Sequence, residues 1–261
     1  MKIPLYQIDA FTRVAFGGNP AAVCPLEAWL GDDVLQAIAA ENNLAETAFF
    51  VREDGGYRLR WFTPTTELPL CGHATLATGY VILNLLEPGD RVRFNTLSGP
   101  VEVSRDGERF ALDFPALPVQ RELDPALVAD AIGMRPSALW EADRGMAVLA
   151  DAAQVRDLRP DIARIEALPF KSLIVTAPGF EGDCDFVSRF FAPKIGVPED
   201  PVTGSAHCVL TPYWSGVLGK TQLFARQLSP RGGELWLEDR GERVRMSGEC
   251  VPILEGTLTV P

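Results

Sequence analysis

RWFTP at residues 60–64 and RFFAP at residues 189–193 carry the same pattern twice, 129 residues apart. Further on, Gly72-His73-Ala74 opens the run GHATLATGYVILNLL, and Gly204-Ser205-Ala206 opens GSAHCVLTPYWSGVLG, at an offset of 132. A third pair follows in the same order. LSGPVEVSRDGERFAL (97–112) matches LSPRGGELWLEDRGERVRM (228–246), with Gly99, Gly107, Glu108 and Arg109 aligned on Gly233, Gly241, Glu242 and Arg243 at an offset of 134. Three patches in one order at nearly one offset describe an internal repeat of about half the chain, with small loop insertions between copies.

Each copy has the same plan. Apolar-polar alternation in YRLRWF, RVRF, VEV and ERFALDF predicts strands in the first half, and GELWLED, ERVRMSG and TLTV predict them in the second. The runs that follow Gly72 and Gly204 are apolar on nearly all sides, which predicts buried helices. DDVLQAIAAENNL (32–44) predicts an amphipathic helix with Val34, Leu35, Ile38 and Ala39 on one face. Strands outnumber helices and do not alternate with them as in a doubly wound fold. The expected fold is α+β: two pseudo-symmetric halves, each a mixed or antiparallel sheet barrelled around a central helix. The expected domains are 1–115 and 116–261, with the last strand free to pack back on the first half. The proline-bearing stretch FPALPVQRELDPAL (114–127) is the expected joint.

Composition narrows the function. The 261 residues are 47% apolar and 23% charged, as in an ordinary globular protein. The net charge of −11 opposes non-specific nucleic-acid binding. No apolar run reaches the roughly 18 residues of a membrane span. The N-terminus MKIPLYQIDAF does not read as a signal peptide, so the cytoplasm is the expected compartment. Five scattered cysteines show neither a CxxC nor a zinc spacing, and no metal is expected.

The chemistry is expected where the two buried helices begin. Helix N-termini present unpaired N–H groups and a positive dipole end, and glycine at the entry lets a ligand approach the backbone. The only two histidines, His73 and His207, each lie in one of these entry motifs. His73 reads as functional. His207, two residues beyond Ser205, reads equally as a functional or a packing residue.

Four segments resemble the PhzF family, which is related to diaminopimelate epimerase: QIDAFTRVAFGGNPAAV (7–23), NLAETAFF (43–50), ELPLCGHATLA (67–77) and EDPVTGSAH (199–207). SRFFAP, NTLSG and LSPRGG also fit, so the likeness runs from Met1 to about Gly248. The resemblance implies two halves each barrelled round a helix, with the active site between them, no metal, no cofactor and a homodimer. It implies a cofactor-independent isomerase moving a proton next to a carboxylate on a small acidic metabolite. The family's base falls on Glu46, its Gly-His pair on Gly72 and His73, and its second-motif Asp and Ser on Asp200 and Ser205, with Gly204 beside them.

Cys71, directly before Gly-His, is a departure from the family pattern. The related epimerases and proline racemases use one cysteine at each helix entrance. Cys71 has Thr203 as its repeat mate, and Cys208 lies inside the helix. A racemase or epimerase using Cys71 is therefore the alternative within enzymes, and a non-catalytic ligand-binding scaffold the alternative outside them. The sequence names no substrate, and the loops at 13–20 and 140–150 that would select one carry no readable signal.

Overall fold

The computed structural model describes residues 1–260. The chain compacts as two units. One comprises Met1–Asp113 with the described residues from Ser247 on, and the other is Phe114–Met246.

In the first unit, strand Lys2–Ala10 pairs antiparallel with Asn19–Leu26, which runs parallel to Glu46–Glu53. Glu46–Glu53 then pairs antiparallel with Gly56–Phe62, which runs parallel to Arg91–Thr96, and that strand pairs antiparallel with Gly99–Asp106. The last strand, Cys250–Thr259, returns along Lys2–Ala10 through nearly its whole length. In the second unit, Ala138–Glu141 pairs antiparallel with Gly145–Val148, which runs parallel to Leu173–Pro178. Then come Phe186–Ala192 antiparallel, Gln222–Gln227 parallel and Gly233–Asp239 antiparallel. Both units therefore run antiparallel, parallel, antiparallel, parallel, antiparallel. The second parallel crossover in each carries the long buried helix, Gly72–Tyr80 in one and Gly204–Leu218 in the other.

These helices are central because their sequences leave no polar face to turn outward. His73 to Gly79 are buried without interruption, and the second helix buries nine residues, including His207 and Trp214. A side chain at Gly79 would bring its Cβ to 2.5 Å from Val103 Cγ1, so glycine lets the first helix lie directly on strand Gly99–Asp106.

The repeated RWF and RFF phrases do the same work in both units. Arg60 donates to both carboxylate oxygens of Glu67 at 2.7 and 2.8 Å and lies over the Phe62 ring at 5.1 Å. Arg189 donates to both oxygens of Glu199 at 2.7 and 2.9 Å and lies over Phe191 at 5.2 Å. Each clamp ties a central strand to the segment that leads into the buried helix.

The amphipathic helix spans Asp32–Asn42 and buries Leu35, Ile38 and Ala39, with Val34 packed partly buried against the same cluster. It ends two residues before the expected Leu44. Asn43 takes the left-handed conformation (φ 49°) and returns its N–H to Ala39 O at 3.2 Å. Asparagine tolerates that conformation and closes helices this way. The proline-bearing stretch is not wholly irregular: Arg121–Leu123 forms a short strand against Ala138–Glu141. No helix among the described residues is long and apolar enough to cross a membrane.

Candidate active site

The left-handed cap at Asn43 turns the chain so that Glu46 becomes the first residue of strand Glu46–Glu53, opposite Ala21. The side chain of Asn42 holds this corner by donating to Thr47 Oγ1 at 3.1 Å. Cys71 is the N-cap residue of the first central helix, in extended conformation, and His73 is the second helical residue. Gly72, the first, brings its backbone beside both.

These segments place Glu46 and His73 in contact. His73 Nε2 lies 3.0 Å from Glu46 Oε2, yet neither buried atom makes a well-aligned hydrogen bond. On the opposite edge of the ring, His73 Nδ1 lies 3.6 Å from Cys71 Sγ and 3.2 Å from Asn19 Nδ2. Glu46, Cys71 and His73 are 9%, 7% and 5% exposed, so their charges interact with little screening by water. Burial alone would lower the His73 pKa, but the Cys71 sulfur and the Glu46 carboxylate outweigh it and hold the imidazole well above its usual value. The Cys71 thiol is pushed up, first by burial and then by Glu46, with His73 opposing the rise.

The ligand atoms of these three residues lie within 4.8 Å of one another, and they are the one group among the described residues that could together hold a metal ion. Sulfur meets Nδ1 and the carboxylate meets Nε2, and a single ion can use only one ring nitrogen. The arrangement is a chain of polar contacts running thiol, imidazole, carboxylate.

The second unit builds a matching helix entrance. Thr203 is the N-cap, in extended conformation like Cys71, which is its repeat mate. Its hydroxyl donates to Asp200 Oδ2 at 2.5 Å and does not cap the helix. Gln227, fully buried, braces the entrance from the neighbouring strand: its Nε2 donates to Asp200 O at 2.8 Å and to Thr203 Oγ1 at 3.1 Å, and its Oε1 accepts from Thr203 N at 2.9 Å. Gly204 and Ser205 then open the helix, and the Ser205 hydroxyl accepts from Arg144 Nη1 at 3.1 Å.

His207 points the other way, into the core. Its Nδ1 donates to Thr203 O at 2.8 Å and its ring lies 5.9 Å from Phe186. Burial lowers its pKa to about 4, so it is neutral near pH 7 and pins the first turn of the helix. Cys208 is buried inside the helix, with its thiol pushed up to about 12 by burial.

The structure thus brings Glu46, Cys71, Gly72 and His73 together in one unit, and Asp200, Gly204 and Ser205 together in the other. The sequence reading missed Asn19, Gln227 and Arg144. A model of the family described as phenazine biosynthesis-like protein matches residues 8–256. The chain belongs to the phenazine biosynthesis-like family. It is 49% identical to an uncharacterized isomerase of Pseudomonas aeruginosa, over 99% of each chain. Among solved structures, a PhzF-family phenazine biosynthesis protein of Enterococcus faecalis is 43% identical, with a TM-score of 0.97 and full coverage of both chains. A hydroxyproline epimerase from Agrobacterium vitis shares the fold at 10% identity and a TM-score of 0.61, covering 98% of this chain and 92% of that one.

Proposed function

We propose that this family member is an isomerase that needs no cofactor and moves a proton next to a carboxylate on a small acidic metabolite, with Glu46 as the base. The observation that carries the reading is the 3.0 Å contact between Glu46 Oε2 and His73 Nε2, two buried atoms that no well-aligned hydrogen bond ties down. The contact is not locked in an aligned hydrogen bond, so the carboxylate lone pairs can accept a carbon-bound proton with the His73 charge beside them. The P. aeruginosa relative named an isomerase supports the reaction class.

Glu46 takes a proton from carbon, and the bonding pair stays on the substrate, delocalised into its carboxylate. The positive His73 ring then faces charge that has left Glu46 and developed on the substrate, and the buried setting strengthens that attraction. The protonated Glu46 exchanges its proton with solvent and protonates another carbon, so substrate and product are isomers and the enzyme is unchanged. Asp200 is the further proposed catalytic residue, orienting the substrate or acting as a second acid-base group, and Gly204 and Ser205 are the proposed substrate-binding groups of the second unit.

The Cys71 contact with His73 supports a second reading, a racemase in which the thiol delivers a proton. It is the weaker of the two, because the repeat mate Thr203 has no thiol to complete the pair. Incubation of small carboxylic acids in deuterium oxide separates the readings. Glu46→Gln abolishes exchange of a substrate C–H in the first, and Cys71→Ser abolishes it in the second.

A further inference from the structure

Arg144 sits in the tight turn between strands Ala138–Glu141 and Gly145–Val148, within the 140–150 loop whose sequence is silent about substrate. The turn is closed by Ala142 N donating to Arg144 O at 2.9 Å. Its side chain is only 11% exposed although it carries a full charge. The guanidinium lies over the Phe190 ring at 5.4 Å, which fixes its plane. Nε donates to Asp143 Oδ1 at 2.7 Å, Nη2 donates to Asp143 Oδ2, and Nη1 donates to Ser205 Oγ at 3.1 Å.

A guanidinium has five N–H donors. Three are used by these contacts, which leaves one hydrogen on each of Nη1 and Nη2. Those are the two nitrogens of the end-on fork that fits a carboxylate. The Ser205 hydroxyl accepts from Arg144, so its own hydrogen is left to donate to another group.

We propose that Arg144 and Ser205 form a carboxylate-binding subsite of the second unit, and that Arg144 selects acids over their neutral analogues. The proposal rests on the reading that the protein acts on a small acidic metabolite, and it deepens that reading by naming the residue that recognises the acid. Asp143 holds the guanidinium in plane from the opposite side. Its carboxylate offsets the charge of the pair, so the fork discriminates by directed hydrogen bonds more than by bulk attraction.

The test is calorimetric titration of the full chain with benzoate against benzamide, succinate against succinamide, and inorganic phosphate, at fixed ionic strength and pH 7. The acid should bind roughly tenfold or more tighter than its amide, the scale of hydrogen bonds to a charged group. Arg144→Gln should bring that ratio close to one, and Arg144→Lys should recover part of it. The ratio is informative because a merely structural arginine would weaken acid and amide together. If Arg144→Gln does not fold, Arg144→Lys decides, since it keeps the charge and loses the fork: an unchanged ratio there overturns the assignment. So does a wild-type protein that binds acid and amide alike, or one that prefers phosphate to both carboxylates. Deuterium exchange into the C–H bonds of a panel of small aliphatic carboxylic acids, succinate among them, is read separately on the same wild-type protein. Acid preference through Arg144 without exchange sinks the isomerase reading and leaves the subsite standing, and exchange without acid preference does the reverse.

Discussion

The Arg189 guanidinium holds the Glu199 carboxylate through two hydrogen bonds, 2.7 and 2.9 Å long, while Arg189 Nη1 also donates to Leu158 O at 2.8 Å. The Arg189 side chain is 9% exposed, so removing its partner strands a charge in a poorly hydrated place. Glu199→Ala should therefore destabilise the protein by about 3 kcal/mol or more. The repeat mate is better insured: Arg60 donates to Asp32 at 2.9 Å as well as to Glu67, and its side chain is more exposed. Glu67→Ala should cost clearly less than Glu199→Ala. Urea denaturation of both variants measures the difference, and equal losses would refute the ranking.

The repeat and the strand plan were legible in the sequence because both are patterns of local periodicity and self-similarity. RWFTP and RFFAP recur because each arginine clamps a glutamate and stacks on the phenylalanine two positions on. The helix entrances were legible for a similar reason, since each is a glycine followed by an apolar run. The bracing residues were not. Gln227 reaches Thr203 across 24 residues of chain, and Arg144 reaches Ser205 across 61. Neither partner lies at a helical or strand spacing, so only the tertiary fold reveals the contact. Glu46 became legible through family likeness alone, because a lone glutamate between a helix and a strand usually belongs to a solvated turn.

Glu46→Gln keeps the shape of the side chain and removes its basic oxygen. Solvent deuterium exchange into the substrate C–H should fall by about 10²–10⁴-fold, the usual contribution of one positioned acid-base group. Cys71→Ser should lose far less. Exchange that survives in Glu46→Gln and vanishes in Cys71→Ser would transfer the chemistry to the thiol.

The chain's two histidines should titrate in opposite directions. His73 is held above its usual value, so it stabilises the folded protein fully below about pH 6.5 and loses that contribution as pH rises through the raised value. His207 is held down to about 4, so its contribution is present above about pH 6.5 and is lost as pH falls toward 4. Imidazole resonances assigned with His73→Gln and His207→Gln provide the check. The His207 signal should stay that of a neutral ring down to pH 5, and the His73 signal should stay that of a charged ring through pH 7.

The Cys71 thiol offers a direct reading of the same local field. Burial raises its pKa first, and the Glu46 carboxylate adds to that rise. Thiolate is the form that alkylates, so Cys71 should react slowly with iodoacetamide at pH 8. Replacing Glu46 by Gln removes the negative neighbour while leaving the size of the side chain almost unchanged. The thiolate fraction should rise, and Cys71 should alkylate several-fold faster in Glu46→Gln than in the wild type. Peptide mapping by mass spectrometry isolates this cysteine from the others. Cys24 and Cys208 are pushed up to about 12 by burial and should stay unmodified in both proteins, which controls for unfolding. A Cys71 rate that is unchanged, or slower, in Glu46→Gln would mean that Glu46 does not act on the thiol. The electrostatic chain of thiol, imidazole and carboxylate would then have to be abandoned.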